Sequence, residues 1–167
     1  NKSMIKSLAK LAFFLAAKYG AKISFIPMRT IWYGDDRIAH NLMKKELKTS
    51  NSNFIFFDRR PSVEEFVKEL ANTTLMIGMP LHSIVLSSSM GVPSIAIGYT
   101  EDVSSFMRYI QAEEHLFSLE NICDSSSLIE KVEELFSSYN KVSRKILQNI
   151  DKVKEKMLLD ENAIRQL

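Results

Sequence analysis

Two rhythms of apolar positions take turns along this chain, short apolar runs and stretches of helical period. Ile5, Leu8, Ala12, Leu15 and Ala16 fall on one helical face, with Lys2, Lys6 and Lys10 elsewhere, which predicts an N-terminal amphipathic helix. AKISFIPM (21–28) reads as a strand, ended by Pro27 and a polar turn. From Asp35 to Lys48 the period returns to that of a helix, with Ile38, Leu42, Met43 and Leu47 as its apolar stripe. Asp35 and Asp36 suit its positive N-terminal end. NFIFFD (53–58) is a second strand. Ser62 and Glu65 then have capping-box spacing, ahead of an apolar face made by Val63, Phe66, Val67 and Leu70. Residues 74–79 and 93–99 are nearly continuous apolar runs, the pattern of parallel strands covered on both faces.

The remainder predicts a short helix over 103–110, a brief edge strand at Leu116-Phe117, and a helix capped by residues 124–126 that runs to Ser138. Leu128, Ile129, Val132, Leu135 and Phe136 face inward on that helix, and a lysine-rich helix covers 142–159. Strand–helix alternation on this scale defines the α/β class, a three-layer Rossmann-like domain with a mostly parallel sheet and right-handed crossovers. No repeat, low-complexity linker or composition shift divides residues 1–167, so one domain is expected.

Composition narrows the function classes. A net charge of +2 with no basic cluster interleaved with aromatics gives no footprint for nucleic acid. One cysteine, Cys123, excludes an intrachain disulfide framework and a cysteine-based zinc site, and a cytoplasmic location is the simplest reading. LAFFLAA after three lysines resembles a signal peptide in outline, but no small-residue cleavage site follows, and the amphipathic helix explains the pattern better. No run approaches the roughly 20 apolar residues of a membrane span. No P-loop or glycine-rich dinucleotide fingerprint occurs, so no cofactor is expected. His40, His82 and His115 lack the spacing of a metal site, so none is expected there either.

The stretch LMIGMPLHSIVLSSSMGVPSIAIGYTEDVSSFM (75–107) carries the chemistry. A strand ends at Met79 and a helix opens with Pro80-Leu81-His82-Ser83, proline being favoured at a first helical position. That helix stops at Gly91, and the next strand ends at Tyr99 before Glu101-Asp102. In a parallel sheet both strand ends lie at one edge, where open α/β sheets bind ligands. His82 there suits anion binding or general acid–base work, against the plainer reading of a helix-start histidine. Ser83 offers a hydroxyl beside helix-start amides, or is simply a good early-helix residue. Arg29, just past the 21–28 strand, offers a positive charge or is an exposed loop arginine. Asp36 is a ligand-edge carboxylate or, with Asp35, a helix cap. Tyr99 and Glu101 contact a sugar, or merely end a strand and begin a helix.

The pattern of a strand, PLHS opening a helix, GVPSIAIGY and a Ser-Phe-Met helix resembles the C-terminal half of the polysaccharide pyruvyl transferase family. FIPM followed by Asp35-Asp36 extends the resemblance, over about Ile23 to Met107. The resemblance implies two Rossmann-like domains arranged as in GT-B glycosyltransferases, this chain being the C-terminal one of a larger protein. It implies transfer of the enolpyruvyl group of phosphoenolpyruvate to a cell-surface or exopolysaccharide sugar, leaving a pyruvyl ketal. His82 would recognise the donor, and Ser83, Arg29, Asp36, Tyr99 and Glu101 are the candidate substrate contacts. Pro80 stands where the family usually has arginine, and Thr100-Glu101-Asp102 where it often has Asp-Pro-Lys; both changes remove positive charge. Glycosyl transfer from a nucleotide-sugar, or a non-catalytic binding or scaffold role, are therefore the alternatives. The family's first strand of this domain precedes the helix at which the chain starts. Its absence would leave unpaired backbone groups, so self-association through the sheet or ligand edge, or direct pairing of 21–28 with 74–79, is expected.

Overall fold

The computed structural model describes residues 2–32, 34–48 and 52–164. Among them α1 (Lys2–Tyr19), β1 (Ile23–Phe25), α2 (Asp36–Leu47), β2 (Phe54–Phe56) and α3 (Val63–Ala71) come first in the chain. β3 (Met76–Gly78), α4 (Leu81–Ser89), β4 (Ser94–Gly98), α5 (Glu101–Tyr109) and β5 (Leu116–Ser118) follow, and α6 (Ser125–Ser137) and α7 (Tyr139–Ile164) close it. The fold is α/β with parallel pairings, of the Rossmann-like three-layer class. The chain forms two compact units, one of Asn1–Lys68 with Ser118–Glu133 and one of Glu69–Phe117 with Glu134–Leu167.

In the first unit β1 and β2 pair in parallel, Ile23 opposite Phe54 and Phe25 opposite Phe56. These four side chains pack against a buried cluster of Ile5, Ala9, Ala12, Met43 and Leu47 supplied by α1 and α2. Phe25 and Phe56 stack with ring centroids 4.3 Å apart. Period 2 sends Ser24 and Ile55 to the opposite face, where both are exposed. The expected α2 stripe is also narrower than its hydrophobicity suggests. Met43 and Leu47, four residues apart, are buried, whereas Ile38 and Leu42 lie roughly 100–180° round the helix from them and are exposed.

The capping box forms as expected at α3. The Ser62 amide donates to Glu65 Oε2 (2.8 Å), and the Glu65 amide donates back to Ser62 Oγ (3.2 Å). Arg59 grips the same carboxylate through both terminal nitrogens, at 2.8 and 2.5 Å. Phe66 and Leu70 of α3 are buried, and Val63 at its exposed start is not.

In the second unit β3 and β4 pair in parallel, Ile77 opposite Ile95 and Gly78 opposite Ala96, and β5 adds on the far side of β4 as the expected edge strand. As the central strand, β4 is buried from Ser94 to Ile97. Ile84, Ala96, Val103, Met107, Ile110, Ile146 and Ile150 form one core from α4, β4, α5 and α7. α7 is tied in by polar contacts as well. Asn149 Nδ2 donates to the Ile110 carbonyl at 2.7 Å, and Ser143 Oγ to the Gly91 carbonyl at 2.6 Å. Gly91 ends α4 at φ +71°, in the left-handed region, and a β-carbon there would lie 2.7 Å from Leu147.

Each expected strand is present, the first four shortened to their centres and the edge strand one residue longer, and the strands divide between two sheets. The described sheet pairings join β1 with β2 and β3 with β4, so pairing of 21–28 with 74–79 is not among them. α5 starts two residues earlier than its apolar pattern indicates, because Glu101 and Asp102 are favoured by the positive helix end.

Arg59 first, and the Ser62 amide second, hold the Glu65 carboxyl at about 2, well below its ordinary value of 4.5. A depressed carboxyl contributes stability that is present above its unfolded value and lost as pH falls through the folded one. NMR titration of Glu65 is therefore expected to give a midpoint near 2 that moves toward 4.5 in Arg59→Ala. A wild-type midpoint near 4.5 would contradict the bonding described.

Candidate functional site

At the end of β3 the chain turns through Pro80, extended at φ −71° and ψ 135°, directly into α4. Pro80 is thus the cap before the helix, one position earlier than its expected role as first helical residue. The Ser83 amide and hydroxyl both donate to the Pro80 carbonyl, at 3.0 and 2.7 Å, and close the first turn. Ser83 is fully buried, because Gly78 leaves room for it. A β-carbon on Gly78 would lie 2.6 Å from Ser83 Oγ and 2.7 Å from Ile84 Cδ1.

This packing divides the two neighbouring candidates. Ser83 is committed to holding the turn, with its side chain beneath the helix start. His82, one residue earlier and about 100° round the helix, is exposed. Tyr99 is also exposed, just past the end of β4. Since β3 and β4 are parallel, His82, Tyr99 and Glu101 follow strand ends at the same sheet edge, as expected. Glu101 pairs with Arg108 and accepts from Ser105 Oγ at 3.2 Å, and Arg108 is the main reason its carboxyl titrates below the usual range.

Arg29 and Asp36 belong to the other unit. One oxygen of Asp36 accepts from the Met28 amide at 3.0 Å and the Arg29 amide at 2.8 Å, while the Asp36 amide donates to the Arg29 carbonyl at 3.0 Å. Asp36 therefore ties the loop after β1 to the start of α2. The Arg29 chain lies against Gly34, its guanidinium has no carboxylate partner among the described residues, and the same loop carries the 91% exposed Trp32. Asp35 caps α2 by accepting from the Arg37 amide at 2.9 Å, and its carboxylate also binds the Arg37 guanidinium.

Around this helix start lies a cavity of about 370 Å³, lined by Asp35, Arg37, His40, Asn41, Lys44 and Asp58 with Ile38 and Phe57. The sequence reading gives His40 no metal-site spacing and no other role. The signal was spacing: Arg37, His40, Asn41 and Lys44 fall at i, i+3, i+4 and i+7, on one face of α2. The His40 ring packs edge-on to Phe25 and Phe56, with centroids 6.2 and 6.1 Å away. Burial pushes its pKa below the ordinary value, which keeps the imidazole neutral. Among the described residues no three His, Cys, Asp or Glu side chains gather as metal ligands.

Parallel strands, each followed by a helix, define this chain as an α/β protein whose strand ends and helix starts gather at sheet edges. Residues 1–101 match the family model for polysaccharide pyruvyl transferases, and the chain belongs to that family. The amylovoran biosynthesis protein AmsJ of Erwinia amylovora is 27% identical over 82 residues, a match covering 49% of this chain and 20% of AmsJ. No solved structure matches the chain. No helix among the described residues is long and apolar enough to cross a membrane.

Two substitutions test how the strand–helix turns are built. Gly78→Ala is expected to destabilise the protein by about 1–3 kcal/mol in urea unfolding, because Ser83 and Ile84 must move. Asp36→Ala is expected to remove hydrogen-exchange protection at the Met28 and Arg29 amides while α2 stays folded. Unchanged protection there would refute the tie assigned to Asp36.

Proposed function

We propose that this chain works as the C-terminal, donor-binding half of a larger enzyme that transfers a pyruvyl group from phosphoenolpyruvate to a saccharide. The observation that carries the reading is His82, exposed on the first turn of α4 at the edge it shares with Tyr99, within the segment that matches the family. A cytoplasmic location goes with this donor. The chemistry balances without a redox partner. One acceptor hydroxyl adds to C2 of the enol while a proton goes to C3, forming the methyl group. A second hydroxyl then displaces phosphate at C2, and the electron pair of the broken C–O bond leaves with the phosphate. The first hydroxyl's proton is made good at C3, the second's ends on the phosphate, and the product is a cyclic ketal. A histidine at this edge can hydrogen-bond the donor and move a proton between hydroxyl and enol.

In this reading Tyr99 and Glu101, at the same edge, contact the acceptor. Ser83 contributes by fixing the turn from which the helix-start amides point outward. Charge favours a second reading, a non-catalytic binding domain of the same fold. Pro80 and Asp102 bring no cation to this edge, and Arg108 is engaged by Glu101. Calorimetry on the full-length protein separates the two, with phosphoenolpyruvate and a nucleotide-sugar as alternative donors. Phosphoenolpyruvate is expected to bind the wild type and to bind His82→Ala at least about tenfold more weakly, at unchanged melting temperature. Binding of neither donor would sink the enzyme reading, and binding of the nucleotide-sugar alone would replace pyruvyl by glycosyl transfer.

A further inference from the structure

The cavity on α2 is separate from the His82 edge in the chain's organisation and has its own chemistry. We propose that it binds a neutral pyranose unit through the ring hydroxyls. Size comes first: about 370 Å³ lies at the small end of ligand pockets and suits one sugar ring. Charge comes second. Asp35 and Arg37 neutralise each other through a bidentate contact of 2.7–3.0 Å. Asp58 and Lys44 add one charge of each sign, and the half-buried His40 imidazole is disfavoured as a cation. The lining therefore sums to zero. A phosphate or a carboxylate would find one uncommitted ammonium, Lys44, which already rests 4.8 Å above the Phe56 ring, in a cavity that also holds the Asp58 carboxylate.

Hydroxyl groups fit this lining where anions do not. They donate to the Asp58 carboxylate and the Asn41 carbonyl and accept from the Asn41 amide and Lys44, and no described side chain occupies the Asn41 amide or the Asp58 carboxylate. Phe57 supplies an apolar wall for the C–H face of the ring. The cavity sits past the ends of both β1 and β2, the edge at which parallel sheets bind ligands. That the bound sugar serves as the acceptor rests on the pyruvyl-transfer reading; that the cavity binds sugar does not.

NMR titration of the labelled chain tests this, using methyl glucopyranoside, methyl galactopyranoside and inorganic phosphate as separate probes. Saturable shifts at His40, Asn41 and Phe57 are expected with a pyranoside at millimolar concentration, and none there with phosphate. Asn41→Ala and Asp58→Asn, both at exposed positions, are expected to weaken pyranoside binding about fivefold or more with the rest of the spectrum unchanged. Shifts at these residues with phosphate alone, or with no probe at all, would overturn the proposal. Undiminished pyranoside binding by both variants would overturn it equally. If the pyranoside binds here while the full-length protein ignores phosphoenolpyruvate, the donor reading fails and this site stands.

Discussion

Close approach at Gly78 governs how the second unit presents its chemistry. With no side chain at the end of β3, Ser83 and Ile84 sit directly on the strand, where a β-carbon would be 2.6–2.7 Å away. Ser83 then closes the turn onto the Pro80 carbonyl, and Ile84 enters the core shared by β4, α5 and α7. Once those two residues point inward, helical geometry leaves His82 at the surface. The histidine's exposure is thus a consequence of packing on the opposite side of the helix.

The first unit solves the same problem with a charge. Asp36 bonds backward to two amides of the loop it follows, so the start of α2 and the end of β1 are fixed to each other. Asp35 meanwhile holds Arg37, and the guanidinium reaches the Asp58 carbonyl beyond β2 at 3.4 Å. A single helix start thereby organises both strand ends and frames a cavity between groups of opposite charge. Two acidic residues that look interchangeable in the sequence have divided duties, one to the loop and one to the cap.

The two edges differ in what they offer a ligand. The His82 edge carries an exposed imidazole beside Ser83 and Glu101, which are committed to the turn and to Arg108. The α2 cavity carries many polar groups whose charges cancel, which suits a neutral partner.

Much of the fold was legible from local pattern. The period changes at residues 21–28, 53–58, 74–79 and 93–99 located every main strand, and the Ser62–Glu65 spacing located a capping box that forms as read. Capping, strand propensity and parallel alternation act over a few residues, so a sequence states them directly. Which apolar residues are buried was a different matter. Ile38 and Leu42 are as hydrophobic as Met43 and Leu47 but face away from α1, and Ile55 is exposed on the opposite face of its sheet. The roles of Ser83, Asp36 and His40 also needed tertiary structure, because each depends on what lies opposite. For Ser83 that is a bare glycine, for Asp36 two loop amides, and for His40 two phenylalanine rings. The sequence by itself determined the elements, their order and the residues placed at strand ends. Only the packing of one element on another decided which of those residues hold the structure and which are left exposed at its edges.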